Sequence, residues 1–242
     1  MTLPTAILLD LDDTILDDSS NVEDCWQIAY RSCETTDLNE DEVLSVLHRV
    51  RDWYWSDPDR HRIGRLDLTA ARRRIVRLAF EELSIANHEL ADRIGDAYCA
   101  ERDARMSALP GAIDTVRRLR SAGCRLALVT NGGSTGQRAK IARFELAGLF
   151  DDIFVEGELG FGKPDPRVFR HALSRLGLAA AEVCMVGDNL QWDVAAPQTL
   201  GIFSVWIDWR RRGLPPSSNV QPDLIVHTLA ELPAAAGWVL AR

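Results

Sequence analysis

The stretch AILLDLDDTILDD, Ala6 to Asp18, runs from four small or apolar residues into five carboxylates within nine positions. Ala6 to Asp10 reads as a buried strand: short, apolar and followed by polar turn residues. Such a strand belongs in a sheet interior, yet it ends in crowded negative charge. Asp10 and Asp12 are two apart, and in extended chain residues i and i+2 point the same way. Two carboxylates then face one point and repel, which is unfavourable unless a cation or a shared proton relieves it.

Downstream the texture changes. From about Asp18 to Arg105 the chain carries apolar residues at three- and four-residue spacing, in VEDCWQIAYRSC, EDEVLSVLHRVRDWYW, TAARRRIVRLAFEEL and HELADRIGDAYCAERDA. Ser20 or Asn21, Asn39, Asp67 and Asn87 are the expected helix starts. This block holds no strand candidate. After LPGA (Leu109 to Ala112) helices alternate with apolar strands: RLALVT, a strand near Ile153 to Val155, EVCMVGD and IFSVWI. A helix is expected over Pro166 to Leu176, a short one after Asn189, and a last one from near Thr228. DLIV reads as an edge strand. Alternating strands and helices imply an α/β fold, a Rossmann-like parallel sheet with helices on both faces. The first strand precedes the helical block and the others follow it. Residues 1–17 and 108–242 are therefore expected to form the core, and 18–107 an inserted all-helical cap. Its hinges fall near Leu16–Ser19 and Arg105–Gly111.

Length and charge narrow the function. The 242 residues are 46% hydrophobic, enough for a sizeable core. A net charge of −8 with no basic tail argues against a nucleic-acid polymer or an anionic membrane as partner. No apolar run approaches the roughly 20 residues of a membrane span. The acid-ended N-terminus does not read as a signal peptide. Five widely spaced cysteines without a C-x-x-C suggest reduced thiols and a cytoplasmic protein. The five histidines show no metal-ligand spacing.

Four polar features fall where strands stop: Asp10 with Asp12, Thr130 with Asn131, Lys163 in GFGKPDP, and Asp188 with Asp193 in VGDNLQWD. Open parallel sheets bind ligands outside the carboxyl ends of their strands. Oxygen ligands without His or Cys select a hard cation, and Mg²⁺ suits a site shared with phosphate. Thr130, Asn131 and the glycines Gly132 and Gly133 offer neutral donors and close backbone approach. Four ionised acids carry −4, against +3 from Mg²⁺ and Lys163. Such a site needs its metal to admit a phosphate, and it favours one protonated carboxyl, as a general acid requires.

In that order these motifs resemble the haloacid dehalogenase superfamily of phosphohydrolases. DLDDT matches its first motif, D-x-D-x-T, and LVTNG resembles the second. Lys163 in GKPDP matches the third, and GDNLQWD the fourth, with a helical cap inserted after the first. LVTNG, RVF after GKPDP, and VCMVGDN look most like the branch holding N-acylneuraminate-9-phosphatase and 5′-nucleotidases. The resemblance implies Asp10 as the nucleophile on phosphorus and Asp12 as the acid and then the base. It implies Thr130, Asn131 and Gly132, with Lys163, around the phosphoryl oxygens. It implies Mg²⁺ held by Asp10, the Asp12 carbonyl and Asp188, with Asp193 in support. The expected activity is Mg²⁺-dependent hydrolysis of a small sugar, sugar-acid or nucleotide phosphate through an aspartyl-phosphate. Pro197 stands where relatives carry small residues, so the helix after Asp193 should bend or shorten.

Three other readings share these residues. A dehalogenase has no use for Asp12 as acid. A sugar phosphomutase keeps all four motifs but retains the phosphoryl group. A receiver-type signalling domain keeps its phospho-aspartate and needs no inserted cap. Within the cap, DWYWSDPDRHRIGRLD gathers aromatic and cationic groups, among which Trp55, Arg62 and Arg65 are candidates for a substrate-facing rim. A helix end whose aromatics pack into the cap and whose arginines are solvated is the better account of most of that stretch. Monomer and homodimer both remain open.

Overall fold

Ala6–Leu9, four residues with no solvent exposure, form β1 at the centre of a six-stranded parallel sheet. The computed structural model describes residues 3–33 and 38–238. The remaining strands are β2 (Leu16–Asp17), β3 (Ser107–Ala108), β4 (Arg125–Thr130), β5 (Asp152–Val155), β6 (Val183–Gly187), β7 (Phe203–Ile207) and β8 (Leu224–Val226). The sheet order is β5-β4-β1-β6-β7-β8, while β2 and β3 form a separate antiparallel pair. Leu9 lies opposite Leu128 of β4 and Val186 of β6. Asp10, Thr130 and Asp188 therefore leave the sheet along one edge. The chain lays β4 and β5 on one side of β1, then crosses to β6 on the other. Ligands bind parallel sheets at such a reversal.

The chain divides into two compact units. One, Asp18–Met106, contains α1 (Val22–Arg31), α2 (Glu40–Ser56), α3 (Pro58–Gly64), α4 (Leu68–Glu82) and α5 (His88–Arg105), and no strand among its described residues. Asn39, Asp67 and Asn87 each accept an N–H from three residues on, so they cap α2, α4 and α5. Asn21 precedes α1 without a side-chain capping bond. The core of this unit is built on Trp26 stacked against Tyr98, with ring centroids 3.5 Å apart, and on Leu47, Ile75, Phe80 and Ile94. Sequence periodicity passed over α3, which is too short to show a repeat. Asp57 caps it by accepting the Arg60 N–H, and Pro58 opens its first turn.

The other unit, Met1–Asp17 with Ser107–Arg242, carries the sheet and α6 (Ala112–Ser121), α7 (Ser134–Arg143), α8 (Glu156–Leu159), α9 (Pro166–Leu176), α10 (Ala196–Gln198) and α11 (Leu232–Ala235). Val168, Phe169, Ala172 and Leu176 of α9 pack on a sheet face made by Leu8, Val129 and Met185. Burying each of the larger side chains contributes about 1.5–3 kcal/mol. The single short helix expected after Asn189 is a π-helical turn, Leu190–Ala195, followed by α10. Pro197 lacks an N–H and sits in the first turn of α10, where none is needed. The last helix begins at Leu232, because Leu229–Glu231 forms a tighter 3₁₀ turn first. No helix among the described residues is long and apolar enough to cross a membrane.

Candidate active site

Asp10 is the first residue past β1, and its N–H is bonded to the Val186 carbonyl at 3.0 Å. One of its carboxylate oxygens accepts from Lys163 Nζ at 2.6 Å, the other from the Thr14 hydroxyl at 3.2 Å. Lys163 Nζ also donates to Asp193 Oδ1 at 2.6 Å. Lys163 is 1% exposed, so two carboxylates take the place of its water. Burial by itself disfavours the ammonium, but the charges of Asp10 and Asp193 outweigh it and hold Lys163 protonated well above the usual lysine range. Burial pushes Asp10 up to about 6 against the pull of Lys163, and the Asp193 charge adds to the push. Asp188 is driven well above the usual carboxylate range, first by burial and then by Asp10 and Asp193.

Asp12 has a separate set of partners. The extended chain stops at Leu9 and turns. Ile15 and Leu16 donate to the Leu11 carbonyl, Asp13 N–H donates to the Leu16 carbonyl, and Asp13 takes a left-handed φ of 57°. The Asp12 carboxylate accepts instead from α7: Oδ1 from Lys140 Nζ at 2.8 Å, and Oδ2 from Gln137 Nε2 at 3.0 Å. Each of the two carboxylates thus has its own lysine, Lys163 on Asp10 and Lys140 on Asp12. Gln137 and Lys140 escaped the sequence reading. The signal they offered is a polar pair three apart on the helix that directly follows the Thr130 strand end.

Thr130 is buried, and its Oγ1 accepts from Gln137 Nε2 at 2.5 Å. Both ends of the Asn131 amide are engaged by the Lys163 main chain, Nδ2 donating to its carbonyl at 2.6 Å and Oδ1 accepting its N–H at 2.8 Å. Asn131 thereby ties the end of β4 to the segment that carries Lys163. Gly162 makes this possible, since a Cβ there would lie 2.4 Å from Asn131 Oδ1. The Gly132 N–H donates to the buried Glu156 carboxylate at 3.0 Å. Of the three expected phosphate-binding residues, Thr130 presents a side-chain hydroxyl, while the Asn131 side chain and the Gly132 amide are held by protein partners.

Asp188 follows β6, and its carbonyl accepts the Trp206 indole N–H at 2.7 Å. Asp193 is 1% exposed and uses Oδ2 to accept the Asn189 N–H at 3.0 Å. Gly187 leaves room for it: a Cβ there would meet Asp193 Cγ at 2.3 Å. One carboxylate oxygen each from Asp10, Asp188 and Asp193 lies within 4.8 Å of the others. This all-oxygen, anionic set fits a hard divalent cation such as Mg²⁺. Both carboxylate oxygens of Asp193 and both of Asp10 already accept hydrogen bonds from the protein.

The aromatic and cationic stretch lies on α2 and α3. Trp55 is half-buried against the helical core and meets Tyr54 and His61 edge-on at 5.1 and 5.3 Å. Arg65 Nη1 lies 3.3 Å from His61 Nδ1, and Arg62 lies 3.6 Å from Asp59. Arg60 covers the Trp53 ring at 3.7 Å.

A buried Asp–Lys pair at the central strand end, with further acids beside it, defines a carboxylate-rich centre on a doubly wound parallel sheet. The model of the haloacid dehalogenase-like hydrolases matches residues 4–201, and the chain belongs to that family. It is 36% identical to the phosphoserine phosphatase of Thermus thermophilus, over 93% of this chain and 96% of that one. It is 30% identical to the glyceraldehyde 3-phosphate phosphatase of Methanopyrus kandleri, over 94% of each. The crystal structure of a 2-haloacid dehalogenase from Pseudomonas syringae superposes with a TM-score of 0.64 at 25% identity, covering 97% of this chain and 98% of that one.

Proposed function

We propose that the chain is a Mg²⁺-dependent phosphatase that hydrolyses a small phosphate monoester through an aspartyl-phosphate on Asp10. The hydrolase class follows from the family, and phosphate esters are the substrates named for the two curated relatives above. One observation carries the choice over a dehalogenase: Asp10 and Asp12 sit in different electrostatic settings at one strand end, Asp10 buried against Lys163 and Asp12 held by Lys140 and Gln137. Two carboxylates kept apart in this way can serve as nucleophile and as proton carrier.

In the first step an Asp10 oxygen forms a bond to phosphorus while the bond to the leaving oxygen breaks, and Asp12 delivers a proton to that oxygen. In the second, Asp12 takes a proton from water, the water oxygen bonds to phosphorus, and the Asp10–phosphorus bond breaks to release phosphate. Lys163 fixes Asp10, and the Thr130 hydroxyl binds a phosphoryl oxygen. Asp10, Asp188 and the Asp12 carbonyl hold Mg²⁺, with Asp193 in support. When bound, the ion neutralises the carboxylates and the phosphoryl oxygens, which would otherwise repel one another. Trp55, Arg62 and Arg65 remain candidates for contact with the leaving group. Five free thiols favour a reducing compartment, and we assign the protein to the cytoplasm.

The test is Asp12→Asn against Asp10→Asn on an aryl phosphate of low leaving-group pKa. Such a substrate needs little acid in the first step, whereas dephosphorylation still needs the base. Asp12→Asn should accumulate a phosphoryl adduct by intact mass and turn over at least about 10²-fold more slowly. Asp10→Asn should form no adduct, and wild-type phosphate release should stop in chelator and return with Mg²⁺. Native turnover by Asp12→Asn, or an adduct on Asp10→Asn, overturns the mechanism. A screen opening with phosphoserine and glyceraldehyde 3-phosphate addresses the substrate, and phosphate release without a bisphosphate activator separates hydrolase from phosphomutase.

A further inference from the structure

We propose that Gln137 and Lys140 of α7 are positioning residues that aim the Asp12 carboxylate at the leaving group; this inference rests on the phosphatase reading. Asp12 lies in the turn past the end of β1, where its backbone bridges to Leu16 and leaves the direction of its side chain to other groups. A carboxylate on such a segment rotates freely unless both oxygens are held. Here each oxygen has its own donor, Lys140 Nζ at 2.8 Å on Oδ1 and Gln137 Nε2 at 3.0 Å on Oδ2. The two donors are three apart on α7, so one helical turn presents both to the same carboxylate.

Gln137 is 4% exposed, and a buried amide is stable only when hydrogen-bonded. Its Nε2 has two hydrogens and three acceptors in reach: Asp12 Oδ2, Thr130 Oγ1 at 2.5 Å and the Asn131 carbonyl at 2.8 Å. The carbonyl requires the NH₂ group, not the amide oxygen, on that side. The Thr130 hydroxyl donates in turn to the Asn131 carbonyl at 3.5 Å, a long bond that a phosphoryl oxygen can take over. One buried amide thus sets the direction of the proton carrier and of a phosphate donor together. Lys140 is one-eighth exposed by its side chain and adds a charged second hold on the same carboxylate.

This role predicts a dependence on the leaving group that a packing role would lack. An ester of a high-pKa alcohol needs the proton from Asp12, and an aryl phosphate of low pKa does not. Lys140→Met and Gln137→Leu should each lose roughly 10–100-fold in kcat on alkyl phosphates, the scale of a misplaced catalytic group. They should lose only a few-fold in the phosphorylation step on p-nitrophenyl phosphate, read as the pre-steady-state burst, with little change in KM. Lys140→Arg should restore most of the alkyl phosphate rate. Lys140 is partly exposed on its helix, so its variants keep the test decisive even if Gln137→Leu fails to fold. Equal losses for alkyl phosphate turnover and for the aryl burst, or losses below about twofold throughout, overturn this role and leave the phosphatase reading intact. Failure of the wild-type chain to release phosphate from any ester overturns that reading and this inference with it.

Discussion

Lys163 and Asp10 form an ion pair 2.6 Å long, shut away from solvent, between a loop before α9 and the end of β1. Removing one partner of a buried pair leaves the other charge uncompensated, at roughly 3–5 kcal/mol. Lys163→Met should therefore lose about that much stability at pH 8. The loss should shrink at pH 5, below the value near 6 to which Asp10 is already raised, because the stranded carboxyl takes up a proton. Urea unfolding at both pH values checks this, and a loss independent of pH would count against it.

Asp188 supplies a second pH test. Asp10 and Asp188 both have carboxyl pKa values raised on folding, Asp10 from 3.8 to about 6. A raised carboxyl pKa contributes stability that is complete below the unfolded value and is lost as pH rises through the folded one. In chelator, the melting temperature of Asp188→Asn should exceed that of the wild type, with the gap widening from pH 4 to pH 7. Mg²⁺ should raise the wild-type value at pH 7 and leave Asp188→Asn nearly unchanged. A gap that narrows with rising pH contradicts the sign argued here.

Gly187 is a packing constraint on the same centre. A methyl group there overlaps the Asp193 carboxylate, so Gly187→Ala should cost about 1–3 kcal/mol and weaken the Mg²⁺-induced thermal shift. Gly136, exposed on α7 with nothing within 4 Å of an added Cβ, is the control. Gly136→Ala should gain about 0.5–1 kcal/mol from helix propensity alone. Parallel thermal scans of the two variants distinguish a local clash from a general intolerance of added methyls.

The five cysteines predict a thiol count. Cys25, Cys33, Cys124 and Cys184 are buried, and Cys99 is partly exposed. Burial pushes the Cys124 thiol up to about 12 and raises Cys184 further. A thiol reagent should therefore titrate one group promptly in the native protein and five in denaturant. Two or more fast thiols would show that the interior opens more readily than its packing implies.

The sheet and its strand-end acids were legible because their signals are local. A four-residue apolar run, a cap residue three positions before its partner N–H, or a Gly next to an Asp can each be read within one short window. The partnership of α7 with Asp12 could not be read that way. Gln137 and Lys140 look like ordinary polar residues of an exposed helix, and only the turn after Leu9 brings Asp12 to them. Asn131 and Gly132 read as donors to phosphate, and folding turned the side chain of one and the amide of the other toward Lys163 and Glu156. Those partners lie more than twenty positions away, beyond any local pattern.

The central place of β1 has a consequence for synthesis on the ribosome. Both of its neighbours are made late: Arg125, where β4 begins, lies 116 positions after Leu9, and β6 follows later still. At about 5–20 residues per second the first strand waits roughly 6–23 s for any sheet partner. Meanwhile the helices of Asp18–Met106, whose core lies within that segment, emerge complete and can fold. The nascent chain thus carries a fully apolar strand with both edges unpaired ahead of a finished helical unit. Such an edge invites pairing with other chains. A ribosome-associated chaperone should engage ribosome-bound chains stalled before residue 125 and let go once β4 and β6 have cleared the exit tunnel.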